Sequence, residues 1–502
     1  IIPNFRFRGG LRLPKSLFFL FKSVPMKSLS MVKLLLPFAA GIVLGEHFAL
    51  PWWFVVAAFS LCGVLALLLR SGAALAALLV VTGWGVCQFH APERTVPLET
   101  TCLWQVQVEG MPADRGRYSS ADGVIRAWRL PGRTQWHTAA DRVVLRTDST
   151  VMLSGGDRIL CWGRVGALRG GSESYRRLMA RRGFVGSLYL SSRRVLESGA
   201  NADPGLHLRA AARMKRICSP DDAGAVLRAM TVADRSGLTP RLRAAWSRSG
   251  MSHLLAVSGL HTGLVFLLAN LALRWLALLR RGHLVRDALA VGAVWLYVAT
   301  AGFPPSAVRA AVMCTLLQAA LAVGSEYVGL NALAAAAFGM LLWNPAWIGD
   351  IGFQLSFVAV AAILLWAVPL CRRLHGRHRV LNALTDTVAV GAAATLATAP
   401  LVSHAFGVVP VAGLLLNPAV IPLAGIVVLC GVAGLFVPGI CRAGEGAADL
   451  LDLLARTTAS VPGAAVEYAL STRATVACYV FFVIATAVLR HAAAKKSVHL
   501  PS

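Results

Sequence analysis

The sequence predicts a polytopic α-helical membrane protein with an extracytoplasmic β-domain inserted between its spans. Three observations carry that expectation. Hydrophobic residues make up 57% of the chain and mean hydropathy is +0.64, too high for an ordinary soluble enzyme. Apolar runs before residue 90 and after residue 250 approach the length that crosses a bilayer. Between them lies a polar stretch with period-two alternation.

The elements follow in order. Residues 1–33 form a basic leader with seven Lys or Arg and no acidic residue. The chain begins with Ile, and Met26 and Met31 both stand just ahead of the first apolar run, so part of this leader is expected to be an upstream translation artefact. Two more apolar runs follow at once, which favours an uncleaved first span over a signal peptide. Residues 34–90 then hold three N-terminal spans: Leu34–Leu50, Trp52–Leu69 and Ala73–Phe89.

Residues 91–200 contain "LWQVQVEG", "RVVLRTDSTVML", "GDRILCWGRVGAL" and "FVGSLYL". Alternation broken by Gly and Asp reads as five or six short strands, enough for a barrel or sandwich. Residues 201–250 read as a helical connector, one helix opened by Pro220–Asp221–Asp222 and another by Pro240.

A second membrane region is expected over 251–490. Its candidate spans are Leu254–Leu279, Ala288–Ala301, Pro305–Val323, Val328–Trp343, Phe353–Leu370, Ala383–Leu401 and Ala474–Leu489. A further run, Val411–Val437, reads as broken by Pro418 and Pro422. The tail, 491–502, is basic and expected to be cytoplasmic. Basic residues set the orientation: a cytoplasmic leader, the β-domain outside, and "CRRLHGRHR" and the tail inside. The parity works for ten full spans only if Val411–Val437 enters and leaves on one side.

By that count residues 91–250 lie outside, yet carry 26 Lys+Arg against 14 Asp+Glu, all but one of the cations Arg. Guanidinium forks suit phosphate oxygens, and Trp104, Trp128, Trp136, Trp162, Tyr175 and Tyr189 could stack on bases. Composition alone favours a plainer reading, a solvated face in an Arg-rich proteome. The ten cysteines include no C-x-x-C and no Cys/His ligand spacing, so no metal site is expected. Cys102 and Cys161 fall in the polar region and form a candidate disulfide, whose geometry spacing cannot test.

Polar residues inside the apolar half are functional candidates by default. In "MSHLLAVSGLHTGLVFLL", Ser258 and His261 would share a helix face, with His253 two turns earlier. Gly259 and Gly263 form a small-residue strip suited to close helix packing, whereas His261 suits a polar path, since a lipid-facing imidazole would go unsatisfied. A nucleophilic Ser258 is an alternative, with His404 as the other intramembrane-side candidate base. Arg309 stands about one turn into a helix begun by Pro304–Pro305 and needs a carboxylate, water or phosphate partner. Asp350 precedes Gln354 by four residues and is equally an N-cap or a functional acid. Asn417 precedes Pro418 in mid-run, where a broken helix would free backbone groups.

Together these residues are similar to a family. "GMSHLLAVSGLHTGLVF" resembles the signature of ComEC-type competence membrane proteins, and "PPSAVRAAVM", "LNALAAAAFGMLLWNPAWIGDIGFQLSFVAV" and "TAPLVSHAFGVVPVAGLLLNPAVIPL" follow in the same order. "SGGDRILCWGRVGAL" and "YRRLMARRGFVGSLYL" look like the family's outer OB-like β-fold. The resemblance implies a polytopic α-helical membrane protein with an inserted extracytoplasmic OB-like β-domain, in the bacterial inner membrane with a cytoplasmic N-terminus. It implies an inner-membrane channel that conducts single-stranded DNA into the cytoplasm during natural transformation. His253, Ser258, Gly259, His261, Arg309, Asp350, Gln354 and Asn417 are then the matching channel positions. Arg126, Arg129, Arg164, Arg176, Arg177, Arg181 and Arg182 become candidate DNA contacts. Implied partners are single-stranded DNA, the lipid bilayer, a DNA-delivery protein outside and a cytoplasmic helicase or strand-binding motor.

Two departures bear on chemistry. Long members end in a metallo-β-lactamase-like domain, yet no H-x-H occurs here, so this short form is expected to carry no nuclease, catalytic residue, metal or other cofactor: either a separate protein does that work or the chain is truncated. Ser325 and Glu326 stand where a basic residue is expected. No G-x-x-x-x-G-K-[ST] is present, so energy would come from elsewhere. Two other readings stay open: a small-molecule or lipid-linked transporter, and an intramembrane serine hydrolase.

Overall fold

The computed structural model describes residues 30–498, apart from residues 49, 70, 91–94, 115–117, 149–152, 169–175, 177–178, 181, 200–204, 280–281, 324–327 and 411. Met26, Tyr175, Arg177, Arg181, Ser325 and Glu326 lie outside the described residues.

Three helices open the fold as expected: α1 (Ser30–His47), α2 (Trp52–Leu69) and α3 (Gly72–Phe89). α2 is apolar all round and buries none of its residues, the pattern of a helix whose surroundings are lipid.

The polar stretch folds into β1 (Thr101–Val108), β2 (Ala113–Asp114), β3 (Ser119–Arg129), β4 (His137–Thr138), β5 (Arg142–Thr147), β6 (Arg158–Gly166), β7 (Phe184–Leu190) and β8 (Val195–Gly199). Five of these close a barrel in the order β1-β3-β5-β7-β6 and back to β1, with β5 and β7 parallel. The closure agrees with the OB-like expectation. Alternation drives it: Ile159, Cys161 and Val165 of β6 point inward while Arg158 and Arg164 stay exposed. Trp104 fills the interior and donates its Nε1–H to the Gly163 carbonyl at 2.8 Å.

The candidate disulfide is corrected here. Cys102 and Cys161 are both buried free thiols. They sit on neighbouring strands, but the register pairs Cys102 with Gly163 and Trp104 with Cys161. Such diagonal neighbours stand about 7–8 Å apart, beyond ordinary disulfide reach.

The connector forms α4 (Leu206–Ile217), α5 (Asp222–Val232) and α6 (Pro240–Arg248). The Asp221 carboxylate caps α5 by accepting from the Gly224 N–H, and Thr239 with Pro240 behind it opens α6. Every residue of α5 after Asp222 is buried. Its partners come from far along the chain, as described below.

The remaining helices are α7 (Gly259–Ala272), α8 (Gly282–Thr300), α9 (Pro305–Val323), α10 (Gly329–Trp343), α11 (Ile351–Ala362), α12 (Val368–Leu374), α13 (Arg379–Phe406), α14 (Gly413–Gly434), α15 (Cys441–Ala459) and α16 (Thr472–Val498). α11 runs into α12 through a π-turn over Ile363–Ala367, just ahead of Pro369, which has no N–H to give. Among the described residues six helices have the length and apolarity to cross a bilayer: α2, α3, α9, α11–α12, α13 and α14. α7, α10 and the apolar part of α16 are shorter, and α8 carries the adjacent pair Arg286 and Asp287. The chain is a multi-pass membrane protein.

Two expectations about spans are revised. The helix expected from Leu254 begins at Gly259; Met251–His253 form a short 3-10 turn after Gly250, whose φ of +82° suits glycine. His253 therefore precedes the helix instead of sharing its face. The run Val411–Val437 is not broken: α14 is one continuous helix with Pro418 and Pro422 inside it. After α14 the amphipathic α15 runs back, and strand β9 (Val408–Pro410) before the pair hydrogen-bonds to strand β10 (Ala465–Glu467) after it. The α14–α15 hairpin packs on α4–α6 to form one core that includes Leu227, Met230, Trp246, Val427 and Leu451. Trp246 donates to the Asp452 carboxylate at 2.9 Å, locking α6 to α15.

Candidate functional site

The site is built from the start of α7 outward. Ser258 is the N-cap of that helix and His261 its third residue. The His261 ring is fully buried, and its Nδ1 accepts the Ser258 backbone N–H at 3.3 Å. In the neutral ring that arrangement leaves the proton on Nε2. Nε2 and Ser258 Oγ are both buried, and neither has a hydrogen-bond partner among the described residues. Ser258 and His261 are thus brought together, but through the serine backbone. Among the described residues Ser258 Oγ meets no base, and His404 instead bonds the Leu470 carbonyl at 2.9 Å. This geometry lacks the hydroxyl–imidazole contact that a serine nucleophile needs.

Arg309 lies one turn into α9 and is 6% exposed. Its Nε donates to Ser356 Oγ at 2.7 Å, and Phe357 lies 5.8 Å from its guanidinium carbon. Among the described residues it has no carboxylate partner. Its Nη2 lies 3.0 Å from where a Cβ on Gly259 would stand. One turn earlier, Ser306 donates to the Val257 carbonyl at 2.6 Å, tying α9 to the approach of α7. The expected Gly259–Gly263 packing strip is therefore corrected. Gly259 makes room for a guanidinium, and a Cβ at Gly263 would meet nothing within 4 Å.

Asp350 is the N-cap of α11, accepting the Phe353 N–H at 3.0 Å. It is buried, and it also receives an ion pair from Arg182, which stands just ahead of β7. Gln354 turns away and donates to the Ile348 carbonyl at 2.7 Å. Asn417 is half-buried in the early turns of α14, away from any helix break. His253 is exposed, its Nδ1 2.9 Å from the Gly250 carbonyl.

The barrel cations occupy two places. On the β6–β1–β3 face, Gln107 pairs with Arg158 and its side chain accepts from Arg126 at 3.1 Å. Leu103 of the same face pairs with Arg129 on one side and Trp162 on the other, and Arg129 lies 5.0 Å over Trp136. Arg164 is exposed but paired with Glu99. Arg176 is exposed on the β6–β7 connection, and Arg182 closes that connection onto Asp350.

Sequence reasoning missed Ser356; Ser306 stood in the matched "PPSAVRAAVM" without a partner assigned to it. Ser356 was visible as a hydroxyl in the apolar "IGFQLSF", but its link to Arg309 spans two helices. Among the described residues no group of three or more His, Cys, Asp or Glu side chains is placed to hold a metal ion.

A family model described as "Competence protein" matches residues 230–493, just over half of the chain. The match begins at the end of α5 and takes in the whole cluster around Gly259. No curated protein and no solved structure matches the chain.

Proposed function

The chain belongs to the competence-protein family, and from that premise we propose that it is an inner-membrane channel conducting single-stranded DNA into the cytoplasm during natural transformation. One observation carries this reading. The barrel, with its arginine-rich face, is fastened by Arg182 to Asp350, the residue that opens a membrane helix in the family-matched region. A strand held on the barrel through its phosphates would stand at the head of the bundle that must pass it.

The barrel face suits such a ligand. Arg126, Arg129 and Arg158 offer guanidinium forks beside Trp136 and Trp162, the combination of backbone charge and flat apolar rings that favours single strands. In this reading the N-terminus is cytoplasmic and the barrel lies outside. A DNA-delivery protein supplies the strand there, a helicase or strand-binding motor draws it inward, and a separate nuclease removes its complement.

The test is a titration of the detergent-solubilised full chain with a labelled oligodeoxynucleotide at several salt concentrations. Binding that weakens linearly in log–log with salt is expected, the slope reporting the phosphates neutralised, about 0.7 per contact for single strands. Absence of binding, or affinity insensitive to salt, would remove the DNA reading and leave a small-molecule or lipid-linked transporter.

A further inference from the structure

The polar atoms gathered at Gly259 are mostly donors, and among the described residues no carboxylate faces them. Arg309 is buried among apolar helices with no carboxylate beside it among the described residues. Ser356 accepts from its Nε, and Nη1 reaches only the Met313 sulfur at 3.9 Å. Nη2 points at Gly259, the first residue of α7, where backbone N–H groups carry the positive end of the helix dipole. His261 Nε2–H and the Ser258 hydroxyl flank that same residue, buried and unpartnered. A guanidinium, an imidazole N–H, a hydroxyl and a helix N-terminus without a counter-charge make a place for an anion.

We propose that these groups form a binding site for a single phosphate group, through which the phosphodiesters of the conducted strand pass one at a time. The proposal rests on the strand-channel reading for the source of the phosphate, but not for its chemistry. The strand-channel reading supplies a phosphodiester monoanion, whose two free oxygens can take the guanidinium fork and the helix N–H groups together. Gly259 is required for access. A side chain there would meet Nη2 at 3.0 Å and occupy the space in front of the guanidinium. Arg309 is held by Ser356 through Nε, leaving its outer nitrogens for the ligand.

The test follows thermal unfolding of the full chain in detergent, with dimethyl phosphate as the phosphodiester probe, inorganic phosphate as the free-ion probe and chloride as control. Dimethyl phosphate is expected to raise the unfolding midpoint saturably, chloride not. Arg309→Gln should weaken the response roughly tenfold or more, the usual effect of losing a charged hydrogen-bond donor. Gly259→Ala, which keeps every donor, should weaken it severalfold; it carries the test if Arg309→Gln fails to fold. A wild-type chain indifferent to both phosphate probes, or a Gly259→Ala chain with an unchanged response, overturns the site. A response to inorganic phosphate that dimethyl phosphate does not share overturns the phosphodiester assignment. The two readings separate cleanly. Phosphate stabilisation without oligodeoxynucleotide binding defeats the strand channel and keeps the site, whereas salt-dependent oligodeoxynucleotide binding without phosphate stabilisation does the reverse.

Discussion

Arg182, at the start of the strand that completes the barrel, forms an ion pair with Asp350, the cap of a membrane helix 168 residues further along the chain. The two ends of this contact are unequal. Arg182 is half exposed, so the ion pair itself contributes at most about 1 kcal/mol. Asp350 is buried and also caps α11, a role worth about 0.5–2 kcal/mol. Asp350→Ala should therefore destabilise the protein more than Arg182→Ala, and Asp350→Asn, which retains a capping oxygen, should fall between them. Thermal unfolding in detergent checks the order; equal losses from all three would contradict the double role.

The two glycines of the opening motif should respond differently. Gly259→Ala places a methyl against the Arg309 guanidinium, and the crowding should cost about 1–3 kcal/mol or displace the arginine. Gly263→Ala meets open space and should be tolerated, with a slight gain in helix propensity. Comparing the two variants for stability and expression distinguishes room for Arg309 from a two-glycine packing strip, which predicts similar damage at both positions.

The barrel thiols should be inert. Burial pushes the Cys161 thiol up to about 12 and raises Cys102 as well, so neither forms thiolate near neutral pH. Neither side chain is accessible, and their register keeps them apart. Maleimide should leave both unlabelled in the native protein and label both after denaturation without prior reduction. A requirement for reductant at these two positions would mean that a disulfide forms after all.

Trp246 ties the connector to the returning helix α15. Its Nε1–H meets Asp452, which also accepts from Arg456 at 2.6 Å. Trp246→Phe keeps most of the buried ring and removes this donor, and should cost about 1.5–3 kcal/mol because the acceptor is charged. Unfolding midpoints of the variant and of Asp452→Asn would measure the link.

How far these features were legible in the sequence depended on the range of the signal. Apolar runs marked the helices, and alternation marked the barrel strands, because both report burial along a few consecutive residues. The start of α7 was misplaced: Leu254 and Leu255 continue the apolar run, but they enter the core from a turn, and the helix waits for its cap at Ser258. Pro418 and Pro422 argued for a break that the continuous α14 does not make. α15 escaped notice as a partner of α14 because its charged face breaks the apolar run, although its buried face supplies Cys441, Ala448 and Leu451 to the core. At the candidate site, the polar residues themselves were visible. Their partnerships, Arg309 with Ser356 and Gly259, and Asp350 with Arg182, join separate elements and leave no local pattern to read.

The central claim, that this bundle conducts a DNA strand past the buried polar cluster, is tested most directly by following labelled DNA in transformable cells carrying His261→Ala. The variant removes the orphaned Nε2–H and should reach the membrane in normal amount. DNA should still accumulate at the cell surface, while labelled strand recovered from the cytoplasm falls roughly tenfold or more, the scale of one buried hydrogen bond of about 1.4 kcal/mol. Internalisation at the wild-type rate, with the variant present at wild-type level, would contradict it.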